Sequence, residues 1–257
     1  MLIPYEPRIR PVLNFRELGG IPVRDGRTVK HGVLLRSGGL HLFTPEETEV
    51  LKEYGIAKIL DLRGWYSWKK KPDPKGIAPH VPYDGKTSSG GDAMDFSANG
   101  FALTGERANA KLAQLLEYYC RMPFGYQAFH AMRDVLEQGS APFLFHCTKG
   151  KDRTGIAAMV ILYLLGAEEE DILKDYLLSN DYRAEVIAER MEEARNTHPE
   201  DEGYLHLMFQ REGVEEAVGR AVLAGIRSRC GSPEAYAQSE YGWDRAKLEA
   251  VRDMWLE

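Results

Sequence analysis

Pro142-Phe143-Leu144-Phe145-His146-Cys147-Thr148-Lys149-Gly150-Lys151-Asp152-Arg153-Thr154-Gly155 is the stretch that decides how this chain is read. Residues 142 to 145 form a short apolar run between turn signals, as a buried core strand does. Residues 154 to 165 are apolar on nearly every face and stop at Gly166, which predicts a buried central helix. Between the two lies a polar loop from Cys147 to Arg153. The backbone N–H groups of such a loop converge with the helix N-terminus on one point, and a point of that kind binds phosphate.

A cysteine at the start of the loop faces the same positive partial charges, which lower its pKa and supply a thiolate near neutral pH. Arg153, six positions later, can curl back so that its planar guanidinium grips two phosphate oxygens. Gly150 lets the loop turn, Gly155 permits close packing of the first helical turn, and the Thr154 hydroxyl is within reach of the sulfur. Taken singly, a cysteine is usually a small buried hydrophobe, and an arginine at a helix start is usually a surface charge. Together, on a strand–loop–helix, they point to an anion-handling site with Cys147 as nucleophile.

Working outward, Val33-Leu34-Leu35 and the run from Ile56 to Leu62 read as two further buried strands. A helix lies between them. Thr44-Pro45-Glu46-Glu47 supplies a capping-box threonine, a proline at the first helical position and a glutamate three residues after the cap, and Gly55 supplies the stop. Strand, helix, strand in that order predicts a parallel sheet. Helical periodicity returns from Lys111 to Tyr119 and from Tyr126 to Glu137, and from Glu168 onward the chain is almost wholly helical, with Ser232-Pro233-Glu234 as a further start. Residues 64 to 76 and the Gly- and Ser-rich stretch from Gly85 to Gly105 read as loops. The expectation is an α/β fold: a mostly parallel central sheet flanked by helices, and a helical C-terminal part. No linker interrupts residues 1 to 257, so one domain is expected.

The chain has 39 acidic and 33 basic residues, a net charge of −6, which gives no global basic field for nucleic acid. No stretch is long enough to span a bilayer, and Met1-Leu2-Ile3-Pro4-Tyr5 meets Glu6, Arg8 and Arg10 at once, which is expected to leave no apolar signal segment. Cys120, Cys147 and Cys230 are far apart, suggesting neither a disulfide framework nor a zinc knuckle, and a cytoplasmic location follows.

At the loop residues the sequence resembles the protein-tyrosine-phosphatase superfamily, whose signature is His-Cys-x5-Arg followed by Ser or Thr. It is most similar to the bacterial tyrosine and lipid phosphatases whose loop reads His-Cys-Thr-x-Gly-Lys-Asp-Arg-Thr-Gly. Asn14-Phe15-Arg16-Glu17-Leu18-Gly19-Gly20, Leu35-Arg36-Ser37-Gly38-Gly39-Leu40, Asp61-Leu62-Arg63 and Tyr176-Leu177-Leu178-Ser179-Asn180 resemble further blocks of that subfamily in the same order.

The resemblance implies a two-step displacement through a cysteinyl-phosphate on Cys147, with no metal and no cofactor. It implies Thr148, Lys149, Gly150, Lys151 and Thr154 as phosphate-binding residues, and Asp152 as the general acid. The better-known tyrosine phosphatases carry that acid in a Trp-Pro-Asp loop, and no such tripeptide occurs here. Asp61, Asp84, Asp92 and Asp95 stay open as contributors, with Asp61 ranked as support for Arg153 or the loop. His146 is expected to shape the loop, pointing away from Cys147 across the strand, and Arg16, Arg36 and Arg63 to pair with carboxylates. Lys149 and Lys151 resemble the lysine pair of phosphoinositide 3-phosphatases, so the expected partners are phosphorylated proteins or phosphoinositides.

The competing readings are a sulfurtransferase or arsenate-reducing enzyme, and a catalytically weak phosphate-recognition module. The surrounding blocks argue against the first, and the joint presence of Cys147, Asp152 and Arg153 against the second. The polar helices over residues 181 to 211 are expected to form a lid.

Overall fold

The computed structural model describes residues 6–83 and 105–257. Asp84, Asp92, Asp95 and nearly all of the Gly- and Ser-rich stretch lie outside the described residues. Four strands, β1 (Arg16–Glu17), β2 (Leu34–Ser37), β3 (Lys58–Asp61) and β4 (Phe143–His146), form one sheet in the order β1-β2-β4-β3. Only the β1–β2 pairing is antiparallel. β4 runs parallel to both neighbours, and its His146 stands opposite Ser37 and Asp61. The three parallel strands therefore end level with one another, and the Cys147 loop leaves from the middle of that edge.

Alternating side chains carry the sheet's two faces into separate cores. Phe143, Phe145, Leu34 and Leu60 join one apolar cluster, while Leu144, Leu35 and Ile59 join the other. Both faces are thus covered, in keeping with the apolar residues at the centres of β3 and β4. The helices are α1 (Pro45–Glu53), α2 (Trp65–Lys70), α3 (Gly105–Arg121), α4 (Gln127–Gln138), α5 (Arg153–Leu165), α6 (Glu169–Tyr182), α7 (Ala184–Thr197), α8 (Glu202–Glu212), α9 (Glu216–Cys230), α10 (Pro233–Tyr236) and α11 (Arg245–Trp255). Every residue of α5 from Thr154 on is buried, so it packs as the central helix of the larger core. α1 packs Val50 and Leu51 into the smaller one.

The α/β architecture expected from the sequence is the one observed, including the helical C-terminal part. The α1 capping box is complete: Thr44 Oγ1 accepts from Glu47 N–H, and Glu47 Oε2 accepts from Thr44 N–H. Some boundaries differ. β2 extends through Arg36 and Ser37, both buried, with Arg36 satisfied by Asp175 and the Gly150 carbonyl and Ser37 by the carbonyl of Gly38. α3 begins at Gly105, ahead of the expected start at Lys111.

Residues 65 to 70 are a helix and not a loop. Their aromatic content and the proline at 72 argued against one. What holds the turn is pairing one helical turn apart, with Lys69 Nζ over the Trp65 ring at 4.3 Å and Lys70 Nζ over Tyr66 at 4.5 Å. The Trp68 ring also meets Tyr83 edge-on at 5.1 Å.

Candidate active site

The loop from Cys147 to Asp152 is gripped from behind. Gly150 has φ +71°, and a Cβ there would lie 2.6 Å from the Ser37 backbone, so only glycine lets the loop lie against the end of β2. Its carbonyl oxygen accepts from Asn14 Nδ2 at 2.9 Å and from Arg36 Nη2 at 2.8 Å. Thr148 O accepts from Gly39 N–H at 3.0 Å.

Arg36 and Arg16 in turn share the buried Asp175 of α6: Arg16 Nε meets Oδ1 at 2.7 Å, and Arg36 Nη1 donates to Oδ2. Burial would raise the Asp175 carboxyl, but the two guanidinium charges outweigh it and hold the group below the usual carboxylate range. Gly155 then lets α5 approach Tyr176, where a Cβ would sit 2.9 Å from the ring.

With the carbonyls turned outward to these partners, the loop's amides are left over. No backbone N–H from Thr148 to Asp152 donates a hydrogen bond among the described residues, although Gly150 and Lys151 are buried. Buried amides without partners are rare in folded proteins. They form a nest of the kind that receives an anion.

Cys147 is 3% exposed and opens this nest. Burial pushes its thiol up, yet the charge of Arg153 and hydrogen bonding from the Thr154 hydroxyl and N–H outweigh burial, and the thiol lies below its ordinary value. Thr154 Oγ1 is buried and meets no nitrogen or oxygen partner. Arg153 bends back over the loop, with Nη2 3.4 Å from Thr148 Oγ1 and Nη1 3.3 Å from Leu62 O.

Asp152 precedes α5. Its Oδ1 accepts from Tyr119 Oη at 2.9 Å and from Lys151 Nζ at 2.7 Å, while Oδ2 accepts no hydrogen bond among the described residues. The carboxylate is thus fixed at one oxygen, and the other remains available for proton transfer.

The two loop lysines reach α8. Lys151 is buried, and its ammonium also donates to Gln210 O at 2.7 Å. Lys149 Nζ donates to Arg211 O at 2.9 Å and pairs with Glu212 at 2.8 Å. Burial, offset in part by Glu212, pulls Lys149 down to about 8. The last carbonyls of α8 are where a cation is favoured by the helix dipole. These ammonium groups are therefore occupied in holding helix to loop.

His146 is fully buried and faces away from the nest, with Nε2 2.9 Å from Asp73 Oδ2 and Nδ1 3.3 Å from Cys147 O. Asp61 pairs with Arg63, whose Nη2 lies 2.6 Å from its Oδ2, and stands 3.8 Å from His146 Nδ1. Asp61, ranked from the sequence as support for Arg153 or the loop, is engaged by Arg63. Arg63 lies two residues on and folds back first, also holding Asp73 Oδ1 at 2.8 Å.

Asn14, Tyr119, Asp175 and Asp73 were not singled out in the sequence. For Asp175 the usable signal was a charge on the core-facing side of α6, beside Ile172 and Tyr176. Asp73 carries no comparable cue.

A family model described as the tyrosine phosphatase family matches residues 7–257. A Cupriavidus necator protein provisionally named a tyrosine-protein phosphatase is 34% identical over 175 residues, 68% of this chain and 63% of that protein, so the matched region spans less than two thirds of its length. A tyrosine-protein phosphatase of Nostoc commune is 26% identical over 228 residues, 85% of this chain and 72% of its own. The triple specificity protein phosphatase PtpB of Mycobacterium tuberculosis is 27% identical over 190 residues, 65% of this chain and 67% of its own.

Proposed function

The chain belongs to the tyrosine phosphatase family, and from that premise we propose that it hydrolyses phosphate monoesters, phosphotyrosine in proteins foremost, through a cysteinyl-phosphate on Cys147. The observation that carries this reading is the nest of unpaired amides from Thr148 to Asp152, with a low-pKa thiol at its mouth and Arg153 folded over it.

In the first step the Cys147 thiolate attacks phosphorus, an S–P bond forms and the P–O bond to the leaving group breaks. Asp152, through Oδ2, gives its proton to the leaving oxygen. In the second, water attacks phosphorus, Asp152 takes the water's proton, and the S–P bond breaks to restore the thiolate. The amides and the Arg153 fork hold the three remaining phosphoryl oxygens throughout. The protein's own groups supply each proton and each charge in this scheme, so it calls on neither metal nor cofactor.

Engagement of Lys149 and Lys151 by Gln210, Arg211 and Glu212 favours phosphotyrosine over phosphoinositides, because extra phosphates would have to compete for ammonium groups already held. No described helix is long and apolar enough to cross a membrane. Free Cys120 and Cys230, beside a thiolate nucleophile, fit the reducing cytoplasm. Phosphate release from a panel of phosphotyrosine peptides, phosphoserine peptides and phosphoinositides tests the substrate class. Phosphotyrosine should be preferred; faster release from phosphoinositides would overturn that preference while leaving the phosphatase reading intact.

A further inference from the structure

Behind the phosphate loop, Asp73 Oδ2 lies 2.9 Å from His146 Nε2 and 3.0 Å from His80 Nε2, and all three atoms fall within 4.8 Å of one another. His146 is 0% exposed, and its Nε2 makes no aligned hydrogen bond, so Asp73 is close to it but off the line of an N–H donor. Its other nitrogen, Nδ1, faces Cys147 O at 3.3 Å and 3.8 Å away has Asp61 Oδ1. A proton on Nδ1, donated to those oxygens, leaves a lone pair on Nε2 aimed at a carboxylate. Two acceptors facing each other in a buried place call for a cation between them.

We propose that Asp73 Oδ2, His80 Nε2 and His146 Nε2 form a three-ligand site for a divalent transition-metal ion of zinc's chemistry. Two imidazoles and a carboxylate are a ligand set that such an ion takes, with a fourth position for water. At metal–ligand distances of about 2.0–2.1 Å, tetrahedral donors stand about 3.3 Å apart, and the two separations from Asp73 Oδ2 to the histidine nitrogens, 2.9 and 3.0 Å, are within a few tenths of an ångström of that.

The outer contacts fit as well. Arg63 holds Asp73 Oδ1 at 2.8 Å and so turns Oδ2 toward the histidines. Nδ1 of His146 meets a backbone carbonyl, the usual partner of a metal-bound imidazole. His80 is held by its neighbours along β3, with Val81 N–H donating to Ile59 O at 2.7 Å. Its side chain is 44% exposed, which gives an ion a way in. Asp61, Asp73 and Arg63 leave one net negative charge for the cation, and His41, which bonds Arg63 at 2.7 Å, faces the guanidinium. The site adjoins the nucleophile through the His146–Cys147 peptide but shares no atom with it.

The competing occupant is a proton, which the neighbouring carboxylates also favour on His146. Isothermal titration with Zn2+, backed by the visible spectrum of bound Co2+, separates the two. The thiolate is itself a zinc ligand, so the parent for the titration is the Cys147→Ser protein. One equivalent should bind, with a tetrahedral Co2+ spectrum and release of protons. His80→Ala, a change at an exposed residue that leaves the core intact, should weaken binding by at least about tenfold, and His80→Asp, which keeps a ligand atom, should restore most of it. Absence of stoichiometric binding to the folded Cys147→Ser protein, or binding that His80→Ala leaves unchanged, would overturn the site.

Discussion

Arg36 donates from Nη2 to the carbonyl oxygen of Gly150 across 2.8 Å, and so ties the turn of the phosphate loop to the ion network beneath it. The same guanidinium shares Asp175 with Arg16, all three side chains being at most 2% exposed. The curvature that leaves the loop amides unpaired is therefore held by buried charges on β1, β2 and α6.

Replacing Asp175 with Ala leaves two guanidinium groups buried beside each other without a counter-charge. Removal of one partner from a buried pair costs about 3–5 kcal/mol. Urea unfolding of Asp175→Ala should show a loss in that range at an unchanged m-value. A loss under about 1 kcal/mol would mean that the network does not hold the loop.

Asp175 also sets an acid limit. Its folded-state pKa is depressed, so its contribution is complete above the unfolded value of about 3.9 and is lost as pH falls through the depressed value. The stability of the native protein should therefore fall more steeply below about pH 4 than that of Asp175→Asn, which has no carboxylate to protonate. Parallel pH–stability curves for the two proteins would contradict this.

If Asp152 is the proton donor, Asp152→Asn should slow alkyl phosphates by about 10²- to 10⁴-fold. Aryl phosphates with a good leaving group need little proton transfer and should slow far less. The comparison of kcat across a leaving-group series decides it, and equal slowing across the series would move the role to another carboxylate.

Glu212 joins the end of α8 to Lys149 of the loop at 2.8 Å and to Arg183 at 3.0 Å. If α7 and α8 form a lid, Glu212→Gln should shift the ratio of kcat/KM for a long phosphopeptide to that for a small aryl phosphate. The shift should be about 3- to 10-fold, as for an interaction of roughly 1 kcal/mol. Deletion of residues 185 to 210 should enlarge it. A ratio unmoved by either change would reject the lid.

The loop itself was legible in the sequence because its parts are local: strand, Cys147, Gly150, Arg153 and the apolar helix follow one another without a break. The α1 capping box and the Gly166 stop were legible for the same reason. α2 was hidden, since a helix of two Trp, one Tyr, one Ser and two Lys residues is held by ring contacts that propensity does not weigh.

What the sequence could not give was the set of partners brought from afar. Asp175 reaches Arg16 from 159 positions away, and Asp73 meets His146 only because the segment after α2 folds back along β3. Nor did any sign in the sequence show that the end of α8 would return to Lys151, 59 residues on.

The central claim is that Cys147 takes the phosphoryl group, and rapid acid quenching of the enzyme during turnover of a radiolabelled aryl phosphate tests it most directly. Label should appear on the native protein at Cys147 and be absent from Cys147→Ser, whose turnover should fall by at least about 10⁴-fold while it stays folded. Turnover by Cys147→Ser within about tenfold of the native enzyme, or label carried on any other residue, would contradict the account.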